Sequence, residues 1–152
     1  MLLGRYDGKI GEKYQVAFPK KFREVLGDRL AVTKGLENCL IVVSQANWQT
    51  LLEGTQGTPF TNKNSREMQR FLLGNAQFLE LDKKGRFIIP EYLREYAQIK
   101  EEIVFAGIER FVEVWDKKKW EDEQNMLAGR IESIAEKLQE KDLPRKIEEK
   151  SE

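Results

Sequence analysis

The sequence predicts an α+β, mainly β domain made of two tandem copies of one small unit, with short helices between strands and a helix at the C-terminal end. The first observation behind this is a repeated phrase. Pro19-Lys20-Lys21-Phe22-Arg23-Glu24 is echoed by Pro90-Glu91-Tyr92-Leu93-Arg94-Glu95 at an offset of 71 (90 − 19). The second is that Gly35, Glu37, Val42 and Trp48 return as Gly107, Glu109, Val114 and Trp120 at an offset of 72. That one-residue drift fits in the variable stretch after Leu26. The third is that the strand and turn signals restart, in the same order, in the second half. A period this long with only two copies means a pseudo-symmetric single domain rather than a solenoid. Four short strands cannot bury both faces alone, but two such units together can close a small barrel.

The elements follow in order. Arg5 to Phe18 alternates loosely and reads as a hairpin around Gly8 to Lys13. Pro19 stops the second strand and suits the first position of a short helix, whose buried face is Phe22, Val25 and Leu26. Gly27-Asp28 ends that helix. Leu30 to Lys34 and Cys39 to Val43 are strands around a turn at Gly35 to Asn38. Asn47 to Leu52 is a short helix with Trp48 buried. Glu53 to Asn64, rich in Gly, Thr, Pro and Asn, is the linker, and Ser65 caps a helix over Arg66 to Leu73. The pattern then restarts with a strand at Ala76 to Leu81, a tight turn at Asp82 to Gly85 and a strand at Arg86 to Ile89. Pro90 opens a helix through Ala97. Ile103 to Ala106 and Phe111 to Trp115 are strands around Gly107 to Arg110. From Asp116 to Asp142 the chain reads as one long helix. Trp120, Leu127 and Ile134 fall seven apart, as do Ile131 and Leu138, giving an a/d-like stripe. Arg145 to Glu152 is expected to be disordered. The domain layout is thus 5–52 for the first repeat, 53–75 for the linker and short helix, 76–120 for the second repeat, and 121–152 for the C-terminal helix and tail.

Composition narrows the function. The chain has 152 residues, one Cys and no His. Zinc sites of the usual kind and Ser-His or Cys-His nucleophilic pairs are therefore excluded, no metal or other cofactor is expected, and no general base stands out beyond scattered carboxylates. Lone Cys39 cannot form an internal disulfide, which fits a reducing compartment. No apolar run approaches membrane-spanning length and no basic-then-apolar signal opens the chain, so a cytoplasmic location is expected. Net charge is zero, from 26 basic and 26 acidic residues. The distribution matters more than the total. Residues 1–30 hold seven Lys/Arg and four Asp/Glu, net +3, and residues 116–152 hold nine and eleven, net −2.

Leu81-Asp82-Lys83-Lys84-Gly85-Arg86-Phe87-Ile88-Ile89-Pro90-Glu91-Tyr92-Leu93-Arg94 strongly resembles the swapped-hairpin unit of AbrB-type (SpoVT-AbrB) DNA-binding proteins. Two such units, with Met1-Leu2-Leu3-Gly4, Gly35-Leu36-Glu37-Asn38-Cys39-Leu40 and Val114-Trp115-Asp116 around them, are similar to the MraZ family. The resemblance covers residues 1 to about 120. It implies a double-split β-barrel and a nucleoid-associated transcriptional regulator. It also implies binding to short direct repeats in the promoter of the bacterial division and cell-wall gene cluster, by a homo-oligomer that forms a ring. The family pattern carries an Asp-x-x-x-Arg motif in both repeats. Here the second repeat has it as Asp82 and Arg86, while the first has Gly11 and Gln15 at the aligned positions. The first half keeps Lys9, Lys13, Lys20, Lys21 and Arg23 nearby.

Each candidate DNA-binding residue has a plainer reading beside the functional one. Asp82-Lys83-Lys84-Gly85 has the residues of a type I turn, and Asp82 pairing with Arg86 would simply hold it. A pinned guanidinium at Arg86 would also suit guanine O6 and N7 or a phosphate. Lys83 and Lys84 are exposed turn residues by default and phosphate contacts in the family context. Arg23 and Arg94 each follow a proline by four residues. They either offset a helix dipole or touch nucleic acid. Lys13 in the first turn is a weaker candidate. Trp48, Trp115 and Trp120 are expected in the core. Lys117 to Lys119 opposes the helix macrodipole and reads as a solvated run or a contact for a neighbouring subunit's acidic tail. Two other classes compete with a DNA-binding regulator. One is an oligomeric protein-interaction scaffold, and the other is an antitoxin-like AbrB protein. No membrane and no small-molecule substrate is implied.

Overall fold

The computed structural model describes residues 1–53 and 61–140, and the expectation of disorder at Arg145 to Glu152 and most of the linker fall outside them. The chain divides into two compact units, Met1–Lys117 and a second from Lys118 onward.

Among its described residues the first unit holds eight strands: β1 (Leu2–Lys9), β2 (Gln15–Ala17), β3 (Arg29–Lys34), β4 (Leu40–Ser44), β5 (Gln77–Glu80), β6 (Arg86–Ile88), β7 (Glu102–Glu109) and β8 (Phe111–Asp116). Helices α1 (Lys20–Leu26), α2 (Lys63–Leu73) and α3 (Glu91–Tyr96) interrupt them. Six strands form one antiparallel sheet in the order β1-β7-β8-β4-β3-β5, and β2 and β6 form a separate two-stranded ladder. The fold is therefore mixed α+β. Its ladders do not join into a closed ring, and β1 and β5 are the outer strands of the large sheet.

The expected hairpin over Arg5 to Phe18 is corrected by this pairing. Both arms are strands, yet β1 pairs with β7 of the other half and β2 pairs with β6. In the second half β5 likewise leaves β6 and pairs with β3. The pairing pattern is unchanged when the halves are exchanged. The β2·β6 ladder is centred on Val16↔Phe87, an offset of 71, and β4·β8 on Ile41↔Glu113, an offset of 72. Between these centres the register runs at 73, because Leu30 faces Leu79 as Ile103 faces Gly8. Two residues are added after the second helix, and one is removed from the following turn. Gly107 therefore matches Lys34 in the ladder rather than Gly35.

One apolar core serves both halves. Val16 and Phe18 from the β2 segment, Phe87 and Ile89 from the β6 segment, and Leu30, Val32, Val42, Ile103, Phe105 and Val114 from the large sheet belong to one buried cluster. Phe22 of α1 and Leu93 of α3 enter it from the two helices. Phe18 lies 6.3, 6.1 and 5.6 Å from the rings of Phe22, Phe87 and Phe105. The matching positions of the two repeats thus pack on one another, which gives each small unit the second layer it lacks alone.

Several local expectations are corrected. Pro19 and Pro90 are extended capping residues (ψ 131° and 142°) rather than first helical residues. Val25 is exposed, because in a seven-residue helix only Phe22 and Leu26, one turn apart, reach the core. The cap of α2 is Asn62, whose side chain accepts the Ser65 N–H at 3.1 Å, three residues before the expected cap. Residues Gln45–Leu52 are 3-10 helix opened by Ser44. Trp115 is buried, whereas Trp48 and Trp120 are half-buried. The tail is not one helix. α4 (Lys117–Ala128) ends before Gly129, and residues 131–140 are helical again. Glycine is the weakest helix former after proline and suits that break. Lys117 is not simply solvated, since its Nζ lies 3.6 Å from Asp7 and 3.8 Å from Glu102.

Candidate nucleic-acid interface

The β2·β6 ladder has an inner and an outer face. Val16 and Phe87 point inward and are buried, so strand alternation sends Gln15, Ala17, Arg86 and Ile88 outward. Each strand is preceded by a turn, and the two turns therefore sit at opposite ends of the ladder.

The second turn is an aspartate-centred clamp. Asp82 Oδ1 accepts the backbone N–H groups of Lys84 and Arg86, both at 2.9 Å, and Oδ2 accepts Arg86 Nε–H at 3.0 Å. The backbone closes it, with Gly85 N–H donating to Asp82 O and Asp82 N–H to Arg86 O, both at 2.9 Å. Gly85 has φ +76°, in the left-handed region that glycine enters without penalty. The backbone N–H of Arg86, helped by its side chain and the Lys84 N–H, holds the Asp82 carboxyl below the usual carboxylate range against the opposing effect of desolvation. Asp82 is consequently ionised at neutral pH, and it uses one edge of the Arg86 guanidinium. The other edge remains for a ligand on a side chain 39% exposed. Lys83 and Lys84 stand exposed at the turn's tip.

The first turn keeps the closing bond, Gly11 N–H to Gln15 O at 2.8 Å, but has no carboxylate to gather it. Lys13 and Tyr14 both take left-handed φ values, 56° and 61°. Tyr14 occupies the position of Gly85 (14 + 71) and is exposed. Lys13 is exposed beside it, and Gln15 is half-buried.

The two helix arginines cross to the opposite repeat's turn. A Cβ placed on Gly85 would lie 2.9 Å from a terminal nitrogen of Arg23, so the Arg23 side chain lies directly on the second turn. The Arg94 guanidinium carbon lies 3.6 Å from the centroid of the Tyr14 ring in the first turn. Their partners differ. Arg23 Nε donates to Asp28 Oδ1 at 2.7 Å. Arg94 NH1 donates to the Ile89 carbonyl at 3.3 Å, and among the described residues it has no carboxylate partner. The structure thus gathers Asp82, Lys83, Lys84, Arg86 and Arg23 around one turn, and Lys13 and Arg94 around the other. Tyr14 and Asp28 escaped the sequence reading. A tyrosine aligned with a turn glycine at the offset of 71 was the available signal for the first.

No helix among the described residues is long and apolar enough to cross a membrane. What fold and site together define is a duplicated, strand-exchanged domain with two exposed, unequal basic turns on one ladder. A family model described as "MraZ protein, putative antitoxin-like" matches the chain twice, over residues 1–71 and 72–142. The chain is 42% identical over 138 residues to the "Transcriptional regulator MraZ" of Caldanaerobacter subterraneus subsp. tengcongensis, which covers 91% of this chain and 96% of that relative. It is 43% identical over 140 residues to the protein of the same description from Thermoanaerobacter pseudethanolicus, covering 92% and 98%. The relative from Clostridium acetobutylicum is 40% identical over 140 residues, with the same coverage. The chain belongs to the MraZ family.

Proposed function

We propose that the protein is a sequence-specific DNA-binding transcriptional regulator that reads promoter DNA through the outer face of the β2·β6 ladder and its two turns. The Asp82–Arg86 clamp carries this reading. It presents a planar, ionised, oriented donor with Lys83 and Lys84 beside it. Pinned guanidinium groups address guanine edges, and flanking lysines address phosphate. The names of the relatives, transcriptional regulators, support a DNA-binding regulator. The resemblance further assigns it short direct repeats in the promoter of the division and cell-wall gene cluster, and a place on the nucleoid.

A neutral chain with small basic patches binds DNA weakly as one copy, and a homo-oligomer offers the same patches several times. The outer strands β1 and β5, and the exposed Met126, Ile131 and Leu138 of the tail, support such assembly.

A shift assay with the DNA just upstream of the gene, across a salt series, tests the reading. Arg86→Ala is expected to weaken promoter binding about tenfold or more and to relax sequence preference, since a bidentate base contact supplies about 1–3 kcal/mol of discrimination. Gln15→Ala does far less, having no charge to lose. Lys84→Ala weakens all sequences alike and makes the salt slope shallower by about one. A folded, oligomeric Arg86→Ala protein that binds as tightly as wild type would falsify the role of this turn.

A further inference from the structure

We infer that the first turn, which lacks the Asp-x-x-x-Arg pair, has its DNA-reading cation supplied by the other repeat, as Arg94 stacked on Tyr14. The inference rests on the DNA-binding reading above and assigns a specificity residue to the half that the motif leaves empty.

The argument begins from the inequality of the turns. The second holds its own arginine through Asp82. The first has Gly11 and Gln15 at those positions and presents no guanidinium of its own. Strand exchange supplies one. Because β2 pairs with β6, the helix after each strand lies against the turn of the other repeat, and Arg94 of α3 reaches Tyr14.

The two crossing arginines are not equivalent in use. Arg23 lies on Gly85, where the clamp already provides Arg86, and Asp28 neutralises it at 2.7 Å. Among the described residues Arg94 has no such carboxylate. One of its terminal nitrogens meets the Ile89 carbonyl, while its face lies on the Tyr14 ring. Stacking on an aromatic face fixes the guanidinium plane and leaves the in-plane N–H groups for a base edge or phosphate. Tyrosine therefore does for Arg94 what the Asp82 carboxylate does for Arg86. It also explains why a tyrosine stands exposed at φ 61°, a conformation that costs energy for a bulky residue. The ring there serves as a platform.

The two platforms differ in kind, so the two turns present their cations differently. The clamp takes up one guanidinium edge with a carboxylate, whereas the stack takes up a face. The two ends of the ladder are then expected to prefer different bases, which suits a direct repeat better than a palindrome.

The test uses the full-length oligomer and a fluorescent promoter fragment, with folding and oligomer size checked by circular dichroism and sedimentation. Arg94→Ala and Arg94→Gln are expected to weaken promoter binding about tenfold, to make the salt slope shallower by about one, and to relax base preference at a position distinct from that relaxed by Arg86→Ala. Tyr14→Ala, which removes the platform and keeps the charge, is expected to relax the same position as Arg94→Ala while leaving the salt slope near wild type. Rescue separates contact from mere structure. The pair Gly11→Asp with Gln15→Arg rebuilds the missing motif on a turn that already has the closing bond, and a Cβ at Gly11 meets nothing nearer than 3.6 Å. Placed in the Arg94→Ala background, that pair should restore binding. If the Arg94 variants stay folded and bind like wild type while Arg86→Ala fails, the inference is overturned and the DNA-binding reading stands. A loss in Arg94→Ala that the rebuilt motif does not restore also overturns it. If the wild-type protein shows no salt-dependent binding, the functional reading itself falls.

Discussion

Phe18→Ala should be the most informative stability variant, because Phe18 ties the ladder to the core. Its ring is 5% exposed and touches three others, from α1, β6 and β7. Its N–H donates to Gly85 O at 2.9 Å in the opposite repeat's turn, a bond that alanine keeps. The loss is therefore that of the ring alone. Returning a buried phenyl ring to water costs about 1.5–3 kcal/mol. Three ring contacts, two edge-on and one tilted, at about 0.5 kcal/mol each add about 1.5 kcal/mol. The total falls in the range of about 3–5 kcal/mol usual for Phe→Ala in a core. For a chain of this length each kcal/mol moves the midpoint by about 3 °C, so Tm should fall roughly 10–15 °C. The assay is thermal unfolding followed by circular dichroism at one fixed protein concentration, since the proposed assembly would also move Tm. A fall of less than about 3 °C would mean that the two repeats do not share one core through this ring.

Three further outcomes are expected. Gly107→Ala should loosen β1, because the new Cβ would stand 2.5 Å from Leu3 N and 2.7 Å from Leu2 C, both backbone atoms; faster hydrogen exchange at the β1 amides checks this, and unchanged protection refutes it. Burial, reinforced by the nearby Glu113, pushes the Cys39 thiol well above its ordinary range, so alkylation at pH 8 should be slow in the native protein and fast in denaturant; equal rates would contradict the burial. The Asp82 carboxyl, held low by Arg86 N–H and side chain, should titrate below its ordinary value of 3.8. A carboxylate lowered on folding stabilises the clamp above its ordinary pKa and loses that effect only as pH falls through the folded value. Carboxyl NMR should place its midpoint below that value and show it rising in Arg86→Ala; a midpoint at the ordinary value removes the clamp.

Much of this protein was legible in the linear sequence, and the reason is local. The duplication, the proline before each short helix, and the Asp82-to-Gly85 turn are statements about neighbouring residues or about copies of a phrase. Loose alternation over Arg5 to Phe18 marked strand there, because the pleat has a period of two. The break in the tail at Gly129 was not read, because the seven-residue spacing of Trp120, Leu127 and Ile134 carries straight across it. Even the defect in the first turn could be read, since Gly11 and Gln15 stand where the repeat calls for Asp and Arg.

What the tertiary structure alone decided is which strand pairs with which. Alternation records the side of a strand that is buried, and says nothing of the partner that buries it. β1 and β2 are joined by a short connection and look like a hairpin, yet each pairs with the other repeat. Exchange places each unit's apolar face against the matching face of its copy, which no single unit can provide. Val25 shows the same limit on a smaller scale, being correctly spaced for a buried face but set where a seven-residue helix turns away from the core. The placement of Arg23 on Gly85 and Arg94 on Tyr14 follows from the exchange as well. A repeat offset gives equivalent positions in two copies, and only the packing of one copy on the other determines that each arginine lies on the turn it does not belong to.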